Sequence, residues 1–356
     1  MKNILITGGG GFVGSNLAVH IKKRFPSFHV IALDNLRRRG SEINLWRLKA
    51  NDIHFIHGDI RNKEDLCFDH MKISLIIECS AEPSVLAGIQ DAPDYVINTN
   101  LMGLLNCLEL ARHHKADLIF LSSSRVYPIE KLRCLKFKES KTRFVLSDVQ
   151  LQKGVSKQGI SEEFSLEGWR SIYGTTKLAS ELMIQVYIQT YDLRAVINRC
   201  GVIAGPWQMG RMDQGVFAFW LFHHYFKKNL QYMGYGANGK QVRDVLHIQD
   251  LSELICIQMQ DIKKFNGQIY NVGGGTHVSL SLLETTKICR ALTGHVVPIK
   301  KIKKDRAADI PIYISDHTRI TQQTGWNPRI KAETILSDIY QWLKSNKHLI
   351  QKVLFD

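Results

Sequence analysis

The feature that most constrains this chain is a glycine-rich tract between an apolar run and an amphipathic segment. The apolar run covers residues 4–7, the tract TGGGGFVG ends at Gly14, and a helical pattern extends over 12–24. Gly9 and Gly11 complete the spacing G-x-G-x-x-G with Gly14. Glycines at this spacing let the chain turn tightly and let a pyrophosphate reach the backbone amides at a helix N-terminus. The tract therefore predicts a strand, a phosphate-binding turn and a helix.

The alternation of apolar runs and helical patterns continues through the first two hundred residues. Strands are predicted over 30–33, 53–57, 73–79, 118–122 and 195–199, and helices over 94–113 and 173–191. This alternation is typical of an α/β fold with a doubly wound parallel Rossmann sheet, whose ligands bind at the carboxyl ends of the strands. We predict a dinucleotide-binding domain over 1–200 and a smaller α/β substrate-binding domain over 201–356. A strand near 268–272 is expected to rejoin the first sheet.

Two segments break this alternation. Residues 128–170 are polar and weakly periodic, which predicts a long loop, and loops of that length are usually functional or mobile. Residues 215–226 read GVFAFWLFHHYF, which is too short for a membrane span and contains two histidines. We expect them to form a buried or partner-facing helix.

Charge and cysteine content argue against several classes of protein. The formal net charge is +14, from 47 Lys and Arg against 33 Asp and Glu, but the basic residues are scattered. Solvated faces explain this charge best, an anionic substrate comes next, and a nucleic-acid partner is not expected. The seven cysteines contain no CxxC pair and no metal-ligand spacing, so we expect neither a disulfide framework nor a metal site. No apolar run approaches about 18 residues and no signal peptide is visible, which predicts a cytoplasmic protein without a membrane partner.

Polar residues near the predicted strand ends bear on the dinucleotide. Asp34 ends the second strand, where a carboxylate accepts hydrogen bonds from ribose hydroxyls and repels a 2′-phosphate. NAD is therefore favoured over NADP, although the arginines at 37–39 argue the other way. Asp59 with Ile60 is placed to meet the adenine amine, or forms a local turn. Asn100 is placed to tie the backbone near the cofactor, or is an amide on a helix surface.

A Tyr-x-x-x-Lys pair supplies candidate proton-transfer groups. Tyr173 and Lys177 are four residues apart, so a helix places them on one face. A nearby ammonium favours the phenolate form of tyrosine, which can accept a sugar hydroxyl proton while hydride leaves carbon for the nicotinamide. Ser123 lies in a run of three serines after a predicted strand and can hydrogen-bond the reacting oxygen. The alternative for Ser123 is a serine-rich turn that satisfies strand-end amides.

Together these motifs resemble the extended short-chain dehydrogenase/reductase family, in its branch of NAD-dependent nucleotide-sugar epimerases and dehydratases. The resemblance covers nearly the whole chain and rests on TGGGGFVG, Asp34-Asn-Leu, Gly58-Asp59-Ile60, Asn100, Ser122-Ser-Ser-Arg-Val-Tyr127, Tyr173-Gly-Thr-Thr-Lys177, Arg199 and Gly239-Lys-Gln-Val-Arg-Asp244. It implies the catalytic set Ser123, Tyr173 and Lys177. It implies that NAD is bound by Gly8, Gly11, Phe12, Val13, Gly14, Asp34, Asn35, Asp59, Ile60, Ala81, Asn100, Tyr173 and Lys177.

Within that family the chain looks closest to the CDP-paratose 2-epimerases, also called CDP-tyvelose epimerases. The pointers are Met212-Asp-Gln-Gly215, Gly239-Lys-Gln-Val-Arg-Asp-Val-Leu-His247 and Asn271-Val-Gly-Gly274. The resemblance implies oxidation of a nucleoside-diphosphate sugar to a ketone at C2, followed by re-reduction on the opposite face. The substrate-binding residues that we expect are Ser124, Gln214, Arg243 and Arg306. Among them Arg243 is the first candidate for binding the substrate diphosphate and Arg306 the second, because a guanidinium fork suits phosphate oxygens.

Three other functions stay open. A UDP-hexose 4-epimerase would use the same chemistry at another carbon. A 4,6-dehydratase needs a second acid/base pair, often Asp-Glu directly after the Ser/Thr, where this chain has Ser124 and Arg125. A non-catalytic dinucleotide-binding regulator or RNA binder would fit the basic charge, but both members of the Tyr/Lys pair are present.

The resemblance also implies an assembly and a pathway. The predicted helices over 94–113 and 173–191 resemble those that form the family's four-helix interface, which implies a homodimer. The family-level expectation for the product is a precursor of a surface polysaccharide such as lipopolysaccharide.

Overall fold

The first third of the chain alternates strands and helices as the sequence predicts. The computed structural model describes residues 2–89, 91–211, 214–305 and 308–355. Its first elements are β1 (Asn3–Thr7), α1 (Phe12–Arg24), β2 (His29–Asp34), α2 (Leu45–Ala50), β3 (His54–His57), β4 (Leu75–Glu78), α3 (Asp94–Ile97), α4 (Gly103–His114) and β5 (Asp117–Ser123). Each strand predicted here lies within about two residues of its expected bounds. The predicted helix over 94–113 is interrupted, because a π-helical turn over Asn98–Met102 separates α3 from α4.

The segment 128–170 contains more regular structure than the sequence predicts. Its elements are α5 (Ile129–Arg133), β6 (Phe137–Glu139), β7 (Phe144–Leu146), β8 (Val155–Ser156) and β9 (Gly159–Ile160). The two strand pairs β6–β7 and β8–β9 are antiparallel. The prediction of one long loop is therefore wrong, and strands of two or three residues are too short to produce a readable alternation.

The remaining elements complete the chain and include the predicted catalytic helix. They are α6 (Ile172–Tyr191), β10 (Ala195–Cys200), β11 (Val202–Ala204), α7 (Val216–Tyr225), β12 (Leu230–Met233), β13 (Val242–His247), α8 (Ile248–Gln260), α9 (Ile262–Phe265), β14 (Ile269–Val272), β15 (Ser279–Ser281), α10 (Leu282–Thr293), β16 (Ile299–Ile302), β17 (Ile312–Tyr313), α11 (Thr318–Thr324), α12 (Ala332–Ser345) and α13 (Lys347–Phe355). The aromatic helix α7 buries Phe217, Trp220 and Phe222. No helix in the described ranges is both long and apolar enough to cross a membrane.

A seven-stranded sheet forms the centre of the fold. Its strand order is β14-β10-β5-β4-β1-β2-β3, and the pairs β1–β2, β1–β4, β2–β3 and β4–β5 are parallel. This confirms the predicted doubly wound α/β fold. The order reverses between β1 and β4, and in open α/β sheets the ligand binds at such a switch point, outside the carboxyl ends of the strands.

Apolar residues of the sheet and of its helices share one core. Leu5 of β1, Ile76 of β4 and Leu118 of β5 pack in a cluster with Leu108 of α4 and Ile184 of α6, all of them fully buried. At roughly 1.5–3 kcal/mol for each fully buried aliphatic side chain, this cluster fixes the sheet against α4 and α6. The carboxyl ends of β1, β4 and β5 therefore stand at fixed positions relative to α6.

The chain divides into two compact units whose segments interleave. One unit comprises 1–123, 172–199 and 251–269, and the other comprises 124–171, 200–250 and 270–356. The second unit has its own sheet, in which β13 pairs with β11, β15 and β17. The division into domains at residue 200 stays a prediction.

Candidate active site

The glycine tract forms a tight turn between β1 and α1. Gly8 has a φ of +63°, a conformation that glycine adopts without strain, and a Cβ there would lie 2.9 Å from backbone atoms of Cys79 and Ser80. A Cβ at Gly14 would lie 2.3 Å from the Gly8 carbonyl oxygen. Both positions therefore require glycine.

The turn leaves the N-terminus of α1 open to an anion. Gly11 is the N-cap residue, no side chain caps the helix, and its first turn, which begins with Phe12 and Val13, contains no acidic residue. Amides at such a helix end and the positive end of the helix dipole bind phosphate groups. The residues present therefore fit the pyrophosphate of a dinucleotide.

The acidic residues predicted for the adenosine end are Asp34, the last residue of β2, and Asp59, which follows β3. The Asp34 carboxylate accepts hydrogen bonds from the amides of Gly10, at 3.0 Å, and Leu36, at 2.8 Å. Burial raises the pKa of Asp34, and these backbone amides oppose that shift. The Gly11 amide also interacts with this carboxylate. A carboxylate can accept about four hydrogen bonds, so about one acceptor position of Asp34 remains for a ribose hydroxyl.

Asp59 and Asn35 are linked in the same region. Asn35 Nδ2 donates to Asp59 Oδ2 at 2.8 Å, and Arg61 pairs with the same carboxylate oxygen at 2.6 Å. The hydrogen bonds from Arg61 lower the pKa of Asp59 to about 2, so this carboxylate is ionised at neutral pH. Ile60 is buried beside it.

The arginines that argued for a 2′-phosphate lie in the same unit. The Arg37 guanidinium stacks 4.0 Å from the centre of the Tyr95 ring. Its backbone amide donates to Asn35 Oδ1 at 3.0 Å. Stacking on an aromatic ring gives the guanidinium a partner that is independent of a phosphate.

Asn100 ties three segments together. It lies in the π-helical turn, is 2% exposed, and its Oδ1 accepts the amide of Glu82 at 2.8 Å. Its Nδ2 donates to the Glu82 carbonyl and to Thr176 Oγ1, both at 3.2 Å. Ala81, also predicted at the cofactor, directly precedes Glu82. The side chain therefore fixes the loop after β4 against α6, and π-helical turns often occur at functional sites.

The predicted proton-transfer pair lies on the buried face of α6. Tyr173 is 8% exposed and Lys177 2% exposed. Lys177 Nζ donates to the Leu121 carbonyl at 3.0 Å and lies 4.4 Å from the centre of the Phe120 ring. The helix register thus places the tyrosine and the lysine together, one turn apart, beside the end of β5.

Ser122 and Ser123 close β5, and the first of them belongs to a buried ionic network. Ser122 Oγ donates to Glu181 Oε1 at 2.5 Å, and Arg199 Nη2 pairs with Glu181 Oε2 at 2.7 Å. The side chains of this ion pair are 3% or less exposed. A buried charge is tolerated when it is paired and hydrogen-bonded, and this network anchors the strand end at Ser123 to α6.

Three of the four predicted substrate residues, Ser124, Gln214 and Arg243, lie in the second unit. Ser124 begins a short 3-10 turn, and Gln214 forms an isolated bridge with Arg211. The Arg243 guanidinium donates to Asp309 Oδ1 at 2.9 Å and to the Ile310 carbonyl at 2.7 Å. Arg306 lies outside the described residues. The roles of these four residues, like those of the cofactor and catalytic residues above, stay predictions.

Two buried carboxylates near Tyr173 and Lys177, the predicted proton-transfer pair, were not predicted from the sequence. Glu181 is four residues after Lys177, so its position on the same helix face could have been inferred from the helical period. Glu78 ends the apolar strand β4 and is 1% exposed. Glu78 could have been noticed in the sequence because it is a charged residue in an otherwise apolar run. Among the described residues no cluster of three or more His, Cys, Asp and Glu side chains is arranged to hold a metal ion.

Comparison with known proteins gives the family. The model of the NAD dependent epimerase/dehydratase family matches residues 4–273. CDP-paratose 2-epimerase of Salmonella typhi is 31% identical, over 96% of this chain and 99% of its own. dTDP-glucose 4,6-dehydratase of Neisseria gonorrhoeae is 26% identical, over 97% of this chain and 96% of its own.

Solved structures share the fold over nearly the same length. UDP-glucuronic acid 4-epimerase from Bacillus cereus superposes with a TM-score of 0.79 at 23% identity, covering 97% of this chain and 99% of its own. The glycine turn and the open N-terminus of α1 agree with this relationship. The chain belongs to the NAD-dependent epimerase/dehydratase family of nucleotide-sugar enzymes, and its cofactor is NAD.

Proposed function

We propose that this chain is an epimerase that inverts C2 of a CDP-linked deoxysugar, converting CDP-paratose to CDP-tyvelose. The observation that carries the proposal is the 31% identity to CDP-paratose 2-epimerase over nearly the full length of both chains. The other relative described above, at 26%, is a dehydratase, so the family alone does not select the reaction.

The residues after Ser123 support epimerisation over dehydration. A 4,6-dehydratase needs a second acid and base to remove water, and an Asp-Glu pair directly after the Ser/Thr is the usual source. Here those positions hold Ser124 and Arg125, and the Arg125 guanidinium donates to the Ala308 carbonyl at 3.3 Å. Neither side chain is a carboxylic acid, which favours chemistry that leaves the sugar's oxygens in place.

The residues of α6 and β5 take the proton-transfer roles in the proposed mechanism. NAD supplies the acceptor, and later the donor, of a hydride. Tyr173 as phenolate takes the C2 hydroxyl proton of the sugar as the C2–H bond breaks, leaving a ketone. Lys177 supports the phenolate electrostatically, and Ser123 hydrogen-bonds the reacting oxygen. After the ketone turns, Tyr173 returns the proton to oxygen as hydride returns to the other face of C2. No atom or electron is gained or lost overall.

Proton NMR of the purified protein tests the reaction. CDP-paratose, CDP-tyvelose and UDP-glucose are added separately, without cofactor. We expect inversion at C2 of the CDP sugars, and inversion at C4 of UDP-glucose would instead identify a 4-epimerase. No change in any sugar, with NAD present in the protein, would contradict the proposal and favour a non-catalytic role.

A Tyr173→Phe variant tests the mechanism separately from the substrate. The ring is retained and only the ionisable hydroxyl is lost, so turnover should fall by at least about a hundredfold, the lower end of typical acid–base contributions. Bound NAD, released by heat and measured by absorbance, should stay at the level of the unchanged protein. Retained turnover would remove Tyr173 from the mechanism.

Arg243 is the residue that we propose for the substrate diphosphate. Its side chain is 14% exposed, and its partner Asp309 holds the guanidinium in one orientation. Arg243→Ala should raise the KM roughly tenfold or more, because a charged hydrogen bond contributes about 1.5–3 kcal/mol. Arg143→Ala is a matched control, since Arg143 forms a similar pair with Glu284, with 24% and 20% exposure, but is not predicted to bind substrate. Equal effects of both changes would contradict the assignment.

The outer faces of the helices around the site support a homodimer. Leu182 and Val186 of α6 are 55% and 51% exposed, and Met102 and Ile97 are 46% and 37% exposed. Exposed apolar residues of this density on paired helices favour a partner, and a second copy of the chain is the occupant that the resemblance implies. Leu182→Glu should yield monomers in sedimentation experiments, and an unchanged sedimentation coefficient would contradict the dimer. We further propose a cytoplasmic location, in keeping with an odd number of cysteines and no CxxC pair, and a role in making a surface-polysaccharide precursor.

A further inference from the structure

Glu78 is a buried carboxylate at the switch point of the sheet. It is the last residue of β4, all of whose residues are buried, and its neighbours in register are Thr7 of β1 and Phe120 of β5. Neither neighbour carries a charge. An ionised side chain in such surroundings is expensive unless a specific partner compensates it, so its presence calls for an explanation.

The compensating group is Lys177. Its Nζ lies 3.7 Å from Glu78 Oε2, and the two side chains are 3% and 2% exposed. The separation is longer than a hydrogen bond, and Oε2 has no hydrogen-bond partner among the described residues. Burial raises the pKa of Glu78, while the Lys177 charge and the Ser80 amide oppose that shift. The carboxylate thus acts on the ammonium through its charge.

We propose that Glu78 is a positioning residue, the buried counter-ion that keeps Lys177 charged and oriented beside Tyr173. The inference rests on the proposed function in assigning Tyr173 and Lys177 to proton transfer. With Glu78 ionised, the ammonium is held from two sides, by this charge and by the Leu121 carbonyl. Without it, a nearly inaccessible ammonium would keep one hydrogen-bond acceptor and no counter-charge within salt-bridge distance among the described residues.

Removing the negative charge of Glu78 should shift the pKa values of neighbouring groups in a known direction. In the described part of the chain, the titratable groups that interact with Glu78 are Lys177 from α6 and the Cys107 thiol from α4. Burial and the Glu78 charge raise the pKa of Cys107 well above its usual range, so this thiol stays neutral. A lost negative charge makes every nearby group release its proton more easily. The pKa values that define the two limbs of the pH–rate profile should therefore fall, and both limbs should move toward lower pH.

The first experiment compares pH–rate profiles. Glu78→Gln keeps the shape and removes the charge, and Glu78→Asp keeps the charge on a shorter side chain. The Gln profile should shift by about one pH unit or more toward acid, as expected for a charge pair at this distance. The Asp profile should stay near that of the unchanged protein. A Gln profile that is lowered in amplitude but unmoved along the pH axis would overturn the proposal.

A second experiment measures the pair without substrate. Thermal unfolding is followed in excess NAD for Glu78→Gln, for Lys177→Met and for the double variant. Glu78→Gln should lower the melting temperature when Lys177 is present but not in the Lys177→Met background, because only an uncompensated ammonium is costly to bury. With Lys177 present, the decrease in melting temperature caused by Glu78→Gln should be larger at pH 7 than near the ordinary lysine pKa of about 10.4. Equal losses in both backgrounds would overturn the proposal.

The two experiments separate this inference from the proposed reaction. If none of the sugars is converted, the proposed function fails, and the unfolding comparison still decides whether Glu78 and Lys177 are coupled. If turnover is measured and the unfolding shows no coupling, the reaction stands and the role of Glu78 is refuted.

Discussion

Replacing Asp244 with Asn should stabilise the protein more at neutral pH than in mild acid. Asp244 lies in β13 and is fully buried. Its Oδ2 accepts the amides of Ser315, at 3.1 Å, and Gly275, at 3.4 Å. Burial raises the pKa of Asp244 to about 6 from 3.8, although contacts with Ser315 and Gly275 oppose the shift. An asparagine amide oxygen can accept the same hydrogen bonds without a buried charge.

The sign and size of the effect follow from the pKa. Between about pH 4 and pH 6 the folded protein binds a proton at Asp244 that the unfolded chain has released, so this group makes stability fall as the pH rises. A shift of about two units corresponds to about 3 kcal/mol over the whole window. About 1.4 kcal/mol of this falls between pH 5 and pH 7.5. The variant lacks this loss, so its advantage over the unchanged protein should grow by that amount.

Chemical denaturation at pH 5 and pH 7.5 measures this difference. Burial lowers the pKa of His247 to about 4, so that group destabilises the fold as the pH falls. Both proteins contain His247, so its contribution cancels when one unfolding free energy is subtracted from the other. A difference between variant and unchanged protein that is the same at both pH values would refute the reasoning.

Two further changes test the cofactor turn and the buried network. Gly14→Ala should abolish retention of NAD, measured as nucleotide released from the denatured protein, because the new Cβ would lie 2.3 Å from the Gly8 carbonyl oxygen; a full complement of NAD would contradict this. Arg199→Met leaves the Glu181 charge buried and should lower the free energy of unfolding by about 3–5 kcal/mol, measured by denaturant titration. The control Arg194→Met removes a pair whose arginine is 41% exposed and should cost less than about 1 kcal/mol, so similar losses would count against the argument.

Strong periodicity made the central sheet readable from the sequence. The runs at β1, β2 and β5 are apolar and bounded by polar residues, so the β-α-β order followed with bounds close to those observed. The glycine turn could be predicted because the spacing of its glycines depends on backbone geometry rather than on packing. The positions of Tyr173 and Lys177 on one face followed from the helical period alone.

Other features could not be predicted, because they depend on packing between segments that are distant in the sequence. The π-helical turn at Asn98–Met102 preserves a helical pattern of apolar residues, so the sequence suggests one uninterrupted helix. The strand pairs β6–β7 and β8–β9 are short. They are joined to distant segments by backbone hydrogen bonds from Phe144 to Lys240 and from Ile160 to Ile314. The pairing of Glu78 with Lys177 joins residues about a hundred positions apart, a distance that only the folded sheet brings together.

Helix α6 has charged residues on its buried face, beside the core residue Ile184, and apolar residues on its exposed face. Its inward face carries Lys177 and Glu181, and its outward face carries Leu182 and Val186. If the inner face takes part in the proposed proton transfer and the outer face forms the proposed dimer, substitutions on the two sides meet different constraints. The outer residues could then change while the inner residues stay the same. A swap of outer residues between two such enzymes would then produce hybrids with altered assembly and unaltered catalysis.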